Sequence, residues 1–353
     1  MVYGLMAAIL FGASAPLSKL LLARIDPIPL AGLLYVGAGA SMGLWAVVAR
    51  LQRSKGRREA RLERTDLPWL LGAVLAGGIV GPILLLFGLR ATPASTASLL
   101  LNFEAAATAL IAVSLFKESV GRSIWWAVVA ITVGGVFLSL DLTGGWGISA
   151  GALLILGACL MWGFDNNFTQ RISLRDPTRI VMVKGLAAGS FSLGLAAALG
   201  RPLPGGWQIL AALAVGGVSY GMSIMLFVLS LRRLGAARTG ALFGVAPFAG
   251  VLLSLAVFPE LPEWTFFAAL PLMLLAAALL SREQHEHLHR HASMTHTHAH
   301  RHTDPHHQHA HDRAVVAEAV HAHRHTHVEI EHAHPHKPDA HHRHEHPSGD
   351  PRP

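Results

Sequence analysis

The sequence has no histidine before His285, only one cysteine, Cys159, and few charged residues. Charged residues make up 14% of the chain and hydrophobic residues 52%. Soluble domains usually carry about 25% charged residues, so these proportions argue against a soluble protein. One cysteine excludes an intrachain disulfide framework, and no basic segment precedes the apolar run that follows Met1, so a cleaved signal peptide is not expected.

The apolar residues are gathered into stretches of about twenty, which is the length that an α-helix needs to cross a bilayer. The fold class that we expect is therefore an all-α integral membrane protein with ten transmembrane helices. Turns containing proline or glycine separate many of these stretches. The predicted spans are residues 2–22, 27–49, 67–89, 93–116, 122–140, 148–170, 178–199, 207–230, 236–257 and 263–281.

The basic residues predict how the chain is oriented. The net charge of +7 does not indicate nucleic-acid binding, because seven basic residues lie together in one inter-helix loop, residues 50–64. If the N-terminus is inside, fifteen lysines and arginines fall in inside loops, and only Arg24, Arg90 and Arg201 fall outside. By the positive-inside rule both termini are cytoplasmic, and the protein lies in the inner or plasma membrane.

The chain also matches itself weakly in halves. Phe11–Gly12 in the first half aligns with Trp162–Gly163 in the second, and residues 89–116 align with 232–258. Because five spans is an odd number, the second half must enter the membrane from the opposite face, as in carriers built on inverted repeats. This predicts a first repeat at 1–141, a second at 142–282 and a tail at 283–353. A channel is less expected from a single chain, and we find no catalytic cluster that would indicate a membrane enzyme.

These halves resemble the EamA-type repeats of the drug/metabolite transporter superfamily. The resemblance covers residues 1–281 and is carried by FGASAPLSK, WGFDNN and LRRLGAARTGALFGVAPFAG. It implies a ten-helix transporter fold. It does not imply a substrate class, because relatives carry amino acids, other metabolites, drugs or nucleotide sugars.

Glu104 is the first candidate for a functional residue inside the membrane. It lies near the middle of the fourth span, two residues after Asn102, and the repeat alignment sets Pro247 opposite it. An ionisable group at that depth is costly and therefore points to function. Glu104 is expected either to load and release a proton or to bind a cationic substrate directly; a structural carboxylate bonded to Asn102 or to a backbone amide is the alternative.

The next candidates are the polar triplet in WGFDNN, which consists of Asp165, Asn166 and Asn167. The repeat alignment pairs this triplet with Ser14, Ala15 and Pro16. At most two of three consecutive side chains can point into one cavity, and the triplet could instead cap the end of the span. Further candidates are Trp162 on the same face, and two lysines, Lys19 and Lys184. Each lysine could be a counter-ion or could extend to the membrane surface.

All 23 histidines lie in the tail, in short clusters that predict metal binding without a folded core. Neutral imidazole suits Zn, Ni and Co, and clusters of three or four could complete a tetrahedral site. A pH-dependent polycation at the membrane surface is an alternative, as is an extension without function. The predicted metal ligands, cluster by cluster, are His285, His287, His289 and His291; His296, His298, His300 and His302; His306, His307, His309 and His311; His321, His323, His325 and His327; His332, His334 and His336; and His341, His342, His344 and His346.

The function that these features predict is proton-coupled export of a small polar metabolite or drug-like solute by a secondary carrier, with Glu104 as the coupling residue. The tail would bind divalent metal in the cytoplasm, and no cofactor is required. The partners are the lipid bilayer, the solute, protons and divalent metal, with no nucleic acid and with homodimerisation left open. The alternatives are a divalent-metal efflux carrier whose tail collects metal, and a metal or pH sensor that no longer transports.

Overall fold

The computed structural model describes residues 2–52, 60–117, 121–141, 147–173, 175–227, 229–230, 243–259 and 261–281, and four stretches of the tail. These stretches are residues 285–291, 294–300, 321–327 and 330–336. Part of the basic loop at 50–64 and most of the LRRLGAARTGALFGVAPFAG segment lie outside the described residues.

Nine of the predicted metal ligands also lie outside the described residues, so nothing is said of their structure. They belong to three of the six histidine clusters and are His302, His306, His307, His309, His311, His341, His342, His344 and His346.

The first half is helical over most of its described length. Its helices are α1 (Val2–Gly12), α2 (Ser14–Leu22), α3 (Pro27–Gln52), α4 (Leu67–Ala73), α5 (Gly81–Ala91), α6 (Ala94–Leu100), α7 (Phe103–Phe116) and α8 (Arg122–Ser139). A 3₁₀ turn at Arg64–Asp66 precedes α4, and a π-helical stretch, Val74–Val80, joins α4 to α5. The fourth predicted span is therefore interrupted at Leu101–Asn102, directly before Glu104.

The second half is also helical over most of its described length. Its helices are α9 (Ala150–Arg171), α10 (Pro177–Ala198), α11 (Gly206–Val215), α12 (Ala246–Val257) and α13 (Trp264–Ser281). A second π-helical stretch, Gly216–Met222, follows α11. A two-residue strand pair, β1 (Leu140–Asp141) with β2 (Gly147–Ile148), connects the halves.

Seven helical segments of the described chain are long and apolar enough to cross a membrane. They cover the predicted spans one to five, seven and eight. Helices α9, α12 and α13 occupy the other three predicted spans, but α12 and the apolar part of α13 are shorter than the rest. The all-helical membrane architecture is thus confirmed, while the count of ten spans stays a prediction.

Small residues let the two halves approach closely. A Cβ added at Gly185 of α10 would lie against the backbone of Gly39 in α3, and one at Gly189 would meet Val36. Helix α3 therefore packs along α10, as small residues permit in membrane helices. Large apolar side chains such as Leu44, Trp126 and Phe267 are exposed on the outer surface, where lipid would cover them.

The described parts of the tail are extended. Strand β3 (His285–His291) pairs antiparallel with β6 (Ile330–His336), and β4 (Met294–His300) pairs with β5 (His321–His327). The disorder that the composition predicts for 283–353 stays a prediction. Histidine recurs at every second position in these stretches, and an alternation of period two suits a strand.

Candidate functional site

A polar cluster lies where α7, α9 and α10 meet the π-helical stretch Val74–Val80. Helix α9 contributes three of its residues, and this helix continues without interruption to Arg171. The alternative in which the Asp165 triplet caps a helix end is therefore wrong. We call this group the polar cluster; its members are Glu104, Thr108, Asp165, Asn166, Thr169 and Lys184.

Glu104 and Asn166 are joined by a hydrogen bond. The Asn166 Nδ2 donates to Glu104 Oε1 over 2.8 Å and lies 3.1 Å from Thr108 Oγ1. Glu104 is partly buried and Asn166 is exposed. Asn102, the partner of Glu104 in the alternative structural interpretation, donates instead to the carbonyl of Leu99, one turn back in its own span.

Asp165 is held by partners on both oxygens. Lys184 of α10 forms an ion pair with Oδ2, and Thr169 Oγ1 donates to Oδ1 over 3.0 Å. Both charged side chains are nearly buried, with 9% of Asp165 and 12% of Lys184 exposed. Lys184 is thus a counter-ion, but its partner is Asp165 and not Glu104.

The backbone of Gly77 forms one wall of the cluster. The Trp162 indole Nε1 donates to the Gly77 carbonyl over 3.1 Å, and the Tyr35 hydroxyl donates to the same oxygen. A Cβ at Gly77 would overlap the Asp165 carboxylate. The π-helical stretch leaves this carbonyl available to side chains, and such stretches frequently mark functional sites. Sequence reasoning missed this role of Gly77; the Gly77–Gly78 pair marks the position in the sequence but not the hydrogen bonds.

Aromatic rings from both halves lie next to Trp162. Phe11 lies 6.2 Å from Trp162 and 6.1 Å from Tyr220 between ring centroids, and Tyr220 lies 5.7 Å from Tyr35. Phe11 and Trp162 are the two aromatic residues paired by the repeat alignment. Aromatic residues from helices of both halves therefore border the polar cluster on one side.

Two other predicted site residues have structural roles. Asn167 is buried, and its amide donates to the carbonyls of Gly163 and Thr108, which ties α9 to α7. Lys19 donates to the carbonyls of Leu89 and Thr92 at the end of α5. A cation at that position satisfies the free carbonyls of a helix C-terminus.

Metal ligation is not built into the described helices. Among the residues whose side chains the structure describes, no group of three or more His, Cys, Asp or Glu is placed to hold a metal ion.

The tail histidines lie outside that set, so their binding of metal stays a prediction. For those in the four strands, the structure gives backbone register alone, which sets His289 opposite His332 and His325 opposite His296.

Several apolar helices surrounding a small set of buried and paired charges define a polytopic membrane protein with an internal polar site, the arrangement typical of carriers. Residues 1–140 and 149–282 each match the EamA-like transporter family. The chain therefore belongs to the EamA-like transporter family and contains two copies of its repeat.

Two comparisons with individual proteins agree with this assignment. An uncharacterized transporter from Methanothermobacter thermautotrophicus is 30% identical over 268 residues, which cover 72% of this chain and 78% of the relative. A solved structure described only as a crystal structure of a protein superposes with a TM-score of 0.57 at 20% identity, covering 80% of this chain and 97% of that one. The second likeness concerns the fold alone.

Proposed function

We propose that the chain is a ten-span secondary carrier that exports a small polar solute and couples this export to protons through Glu104. The observation that carries the proposal is the difference between the two acids of the polar cluster. Asp165 is matched by a cation, whereas the partner described for the Glu104 carboxylate is the neutral amide of Asn166. An amide can donate to a carboxylate or to the carbonyl oxygen of a carboxylic acid, so Glu104 can keep this contact in either protonation state.

The two halves support an inverted-repeat carrier. A Cβ at Gly12 would meet the backbone nitrogen of Gly250 in α12, and one at Gly163 would meet the backbone of Ala107 in α7. These are corresponding places in the repeat alignment, because Glu104 aligns with Pro247 and Ala107 therefore aligns with Gly250. Each half also carries a π-helical stretch at its double glycine. Such pairing around a shared centre is the geometry of alternating access.

Proton coupling is tested in sealed vesicles that contain the purified protein and a pH-sensitive dye. Amino acids, amines and purines are added singly, and then Zn, Ni and Co. We expect at least one organic solute to move protons with the native protein but not with Glu104→Gln. Glu263→Gln is the matched control, because Glu263 is an exposed acid in the loop before α13.

The results separate the candidate functions. Solute flux that is undiminished in Glu104→Gln would show that Glu104 is not the coupling group. Metal flux that requires Glu104 would replace this proposal with metal efflux. A protein that binds solutes but moves none would be a sensor on a carrier fold.

We propose in addition that the tail binds Zn, Ni or Co in the cytoplasm. The described backbone sets histidine positions opposite one another in both strand pairs, as with His287 and His334 or His298 and His323, and imidazole is a good ligand for these ions. Equilibrium dialysis of the full chain and of a chain lacking residues 285–353 tests this. Equal metal uptake by both forms would contradict it.

A further inference from the structure

One end of the molecule is held by a compact charge network. Arg175 Nη1 lies 2.7 Å from Glu63 Oε1, and Arg175 Nε lies 2.9 Å from Asp66 Oδ2. Asp66 also accepts the backbone N–H of Glu63 over 2.7 Å. Only 14% of the Arg175 side chain and 11% of the Asp66 side chain are exposed. We call Glu63, Asp66 and Arg175 the Arg175 latch.

The guanidinium of the latch is held in its charged form. Burial acts to lower the pKa of Arg175, but hydrogen bonds and charge interactions with Glu63 and Asp66 outweigh it and raise the pKa above the ordinary value. A fork of donors that meets two carboxylates is a geometry that arginine provides and lysine does not.

The latch joins the two halves. Glu63 and Asp66 precede α4 in the first half, while Arg175 lies between α9 and α10 in the second. A backbone hydrogen bond of 2.9 Å from Asp176 N to Ala60 O runs alongside. An apolar patch of Leu70, Ile172 and Ile180 packs below it.

An aromatic layer lies beside the polar cluster on α9 and extends toward the latch through Trp69 of α4. Phe168 follows the Asp165 triplet, and its ring centroid lies 6.0 Å from Trp69 and 6.3 Å from Phe116. One turn later the Arg171 guanidinium covers the layer, 4.8 Å from the Phe116 centroid and 5.6 Å from that of Trp69. The aromatic layer consists of Trp69, Phe116, Phe164 and Phe168.

The opposite end has a looser connection between the halves. Arg201 of the second half lies 3.9 Å from Asp26 of the first, and Arg90, also of the first half, lies 3.3 Å from Asp26. These arginines are 53% and 59% exposed. Exposed pairs of this length contribute little.

We infer that the Arg175 latch and the aromatic layer form the gate at the predicted cytoplasmic end, and that the polar cluster is reached from the opposite end while the latch is closed. The inference rests on the proposed carrier function, since alternating access requires the two halves to separate at one end at a time. The latch is the charged contact that such a movement must break, and the aromatic layer closes the path beneath it.

Access to the polar cluster tests this without any transport measurement. In full-length protein with Cys159→Ser, Asn166→Cys provides a reporter thiol in the cluster. A membrane-impermeant maleimide is then added from one side of sealed vesicles at a time. With the latch intact, labelling is expected to be faster from the end of Asp26 than from the end of Arg175.

Arg175→Ala is expected to speed labelling from the latch end by about tenfold or more, a factor that corresponds to about 1.4 kcal/mol. Arg201→Ala is the matched control, and it should leave labelling from the latch end unchanged. The inference is overturned if the reporter protein with an intact latch is labelled as fast from the latch end as from the opposite end. It is also overturned if Arg175→Ala in the same reporter protein still shows an unfolding transition but is labelled from the latch end no faster than the intact form.

If Arg175→Ala does not fold, a cross-link across the latch tests the gate instead. Glu63→Cys and Arg175→Cys, with the Cys159→Ser exchange, are joined by a short bis-maleimide before the solute assay. The closed cross-link should abolish proton-coupled solute flux, and release through a cleavable linker should restore it. Undiminished flux in the cross-linked protein overturns the gate.

The gate and the proposed function fail in different ways. If labelling depends on the latch but no solute is transported, the gate is supported and the carrier function is contradicted. If transport depends on Glu104 but labelling does not depend on the latch, the carrier function is supported and the gate is contradicted.

Discussion

The two ends of this protein use the same chemical groups to different effect. At each end, acidic and basic loop residues connect the halves, with Arg175 meeting Glu63 and Asp66 at one end and Asp26 meeting Arg90 and Arg201 at the other. The contacts of Arg175 are shorter, and its contact with Asp66 is largely buried although Glu63 is 55% exposed, whereas those of Asp26 are longer and involve exposed arginines. The number of ion pairs is therefore a poor guide to which end is held closed; their burial and geometry are better ones.

Removal of Arg175 should have the largest effect. Arg175→Ala leaves the nearly buried Asp66 carboxylate without its cation, and loss of one partner from a buried pair costs on the order of 3 kcal/mol. The unfolding midpoint in detergent should fall clearly. The midpoint of Arg175→Lys should lie between those of the native protein and Arg175→Ala, because a lysine keeps the charge but cannot bridge Glu63 and Asp66 in the same way. Equal midpoints for the native protein and Arg175→Ala would show that burial does not strengthen this end.

A substitution in the polar cluster, between the two ends, gives a stability change with which those at the ends can be compared. Gly77→Ala places a Cβ on the Asp165 carboxylate, and overpacking of this kind typically costs about 1–3 kcal/mol. Gly135→Ala is the matched control, because nothing lies within 4 Å of a Cβ at Gly135. We expect a lowered unfolding midpoint for the first and little change for the second. Similar midpoints would mean that Asp165 can move away, and that its pair with Lys184 is not fixed by Gly77.

The sequence predicted the helices better than it predicted what joins them. Span boundaries follow from hydropathy, so helices such as Pro177–Ala198 begin and end close to the expected residues. Glu104 and Asn166 were both named as candidates, and the structure brings them together. The break at Leu101–Asn102 was not anticipated, because a stretch of leucines carries no signal for interrupting a helix.

The latch and the partners of Gly77 could not be predicted in this way. Arg175 and Glu63 are 112 positions apart, and in the sequence each is one charged residue in a polar loop. Arg175 was counted only as evidence of orientation. Likewise Trp162 was expected to line a face of α9, but its bond to a backbone carbonyl depends on the π-helical stretch, whose hydrogen-bond pattern has no distinct residue signature.

Arg171 should make a smaller contribution to the latch end. Its guanidinium covers Phe116 and Trp69, and a partly exposed cation–π contact is worth about 1 kcal/mol. Arg171→Ala should lower the unfolding midpoint less than Arg175→Ala does. Arg171→Lys should retain much of the effect, because an ammonium group also interacts with a ring face. If Arg171→Ala lowered the midpoint as much as Arg175→Ala does, the aromatic layer would stabilise this end as much as the latch does.

The smallest effect is expected at the opposite end. Asp26→Asn removes the charge shared by Arg90 and Arg201, yet both arginines remain largely hydrated, so the cost should stay below about 1 kcal/mol. Salt provides a second measurement, because it weakens exposed ion pairs, with a Debye length that falls from about 10 Å at 0.1 M to about 3 Å at 1 M, and affects buried pairs much less. Raising the salt concentration should therefore remove the difference between the native protein and Asp26→Asn, but leave most of the difference between the native protein and Arg175→Ala. If salt removed both differences equally, the two ends would be electrostatically alike, and the asymmetry that assigns the gate to the Arg175 end would disappear.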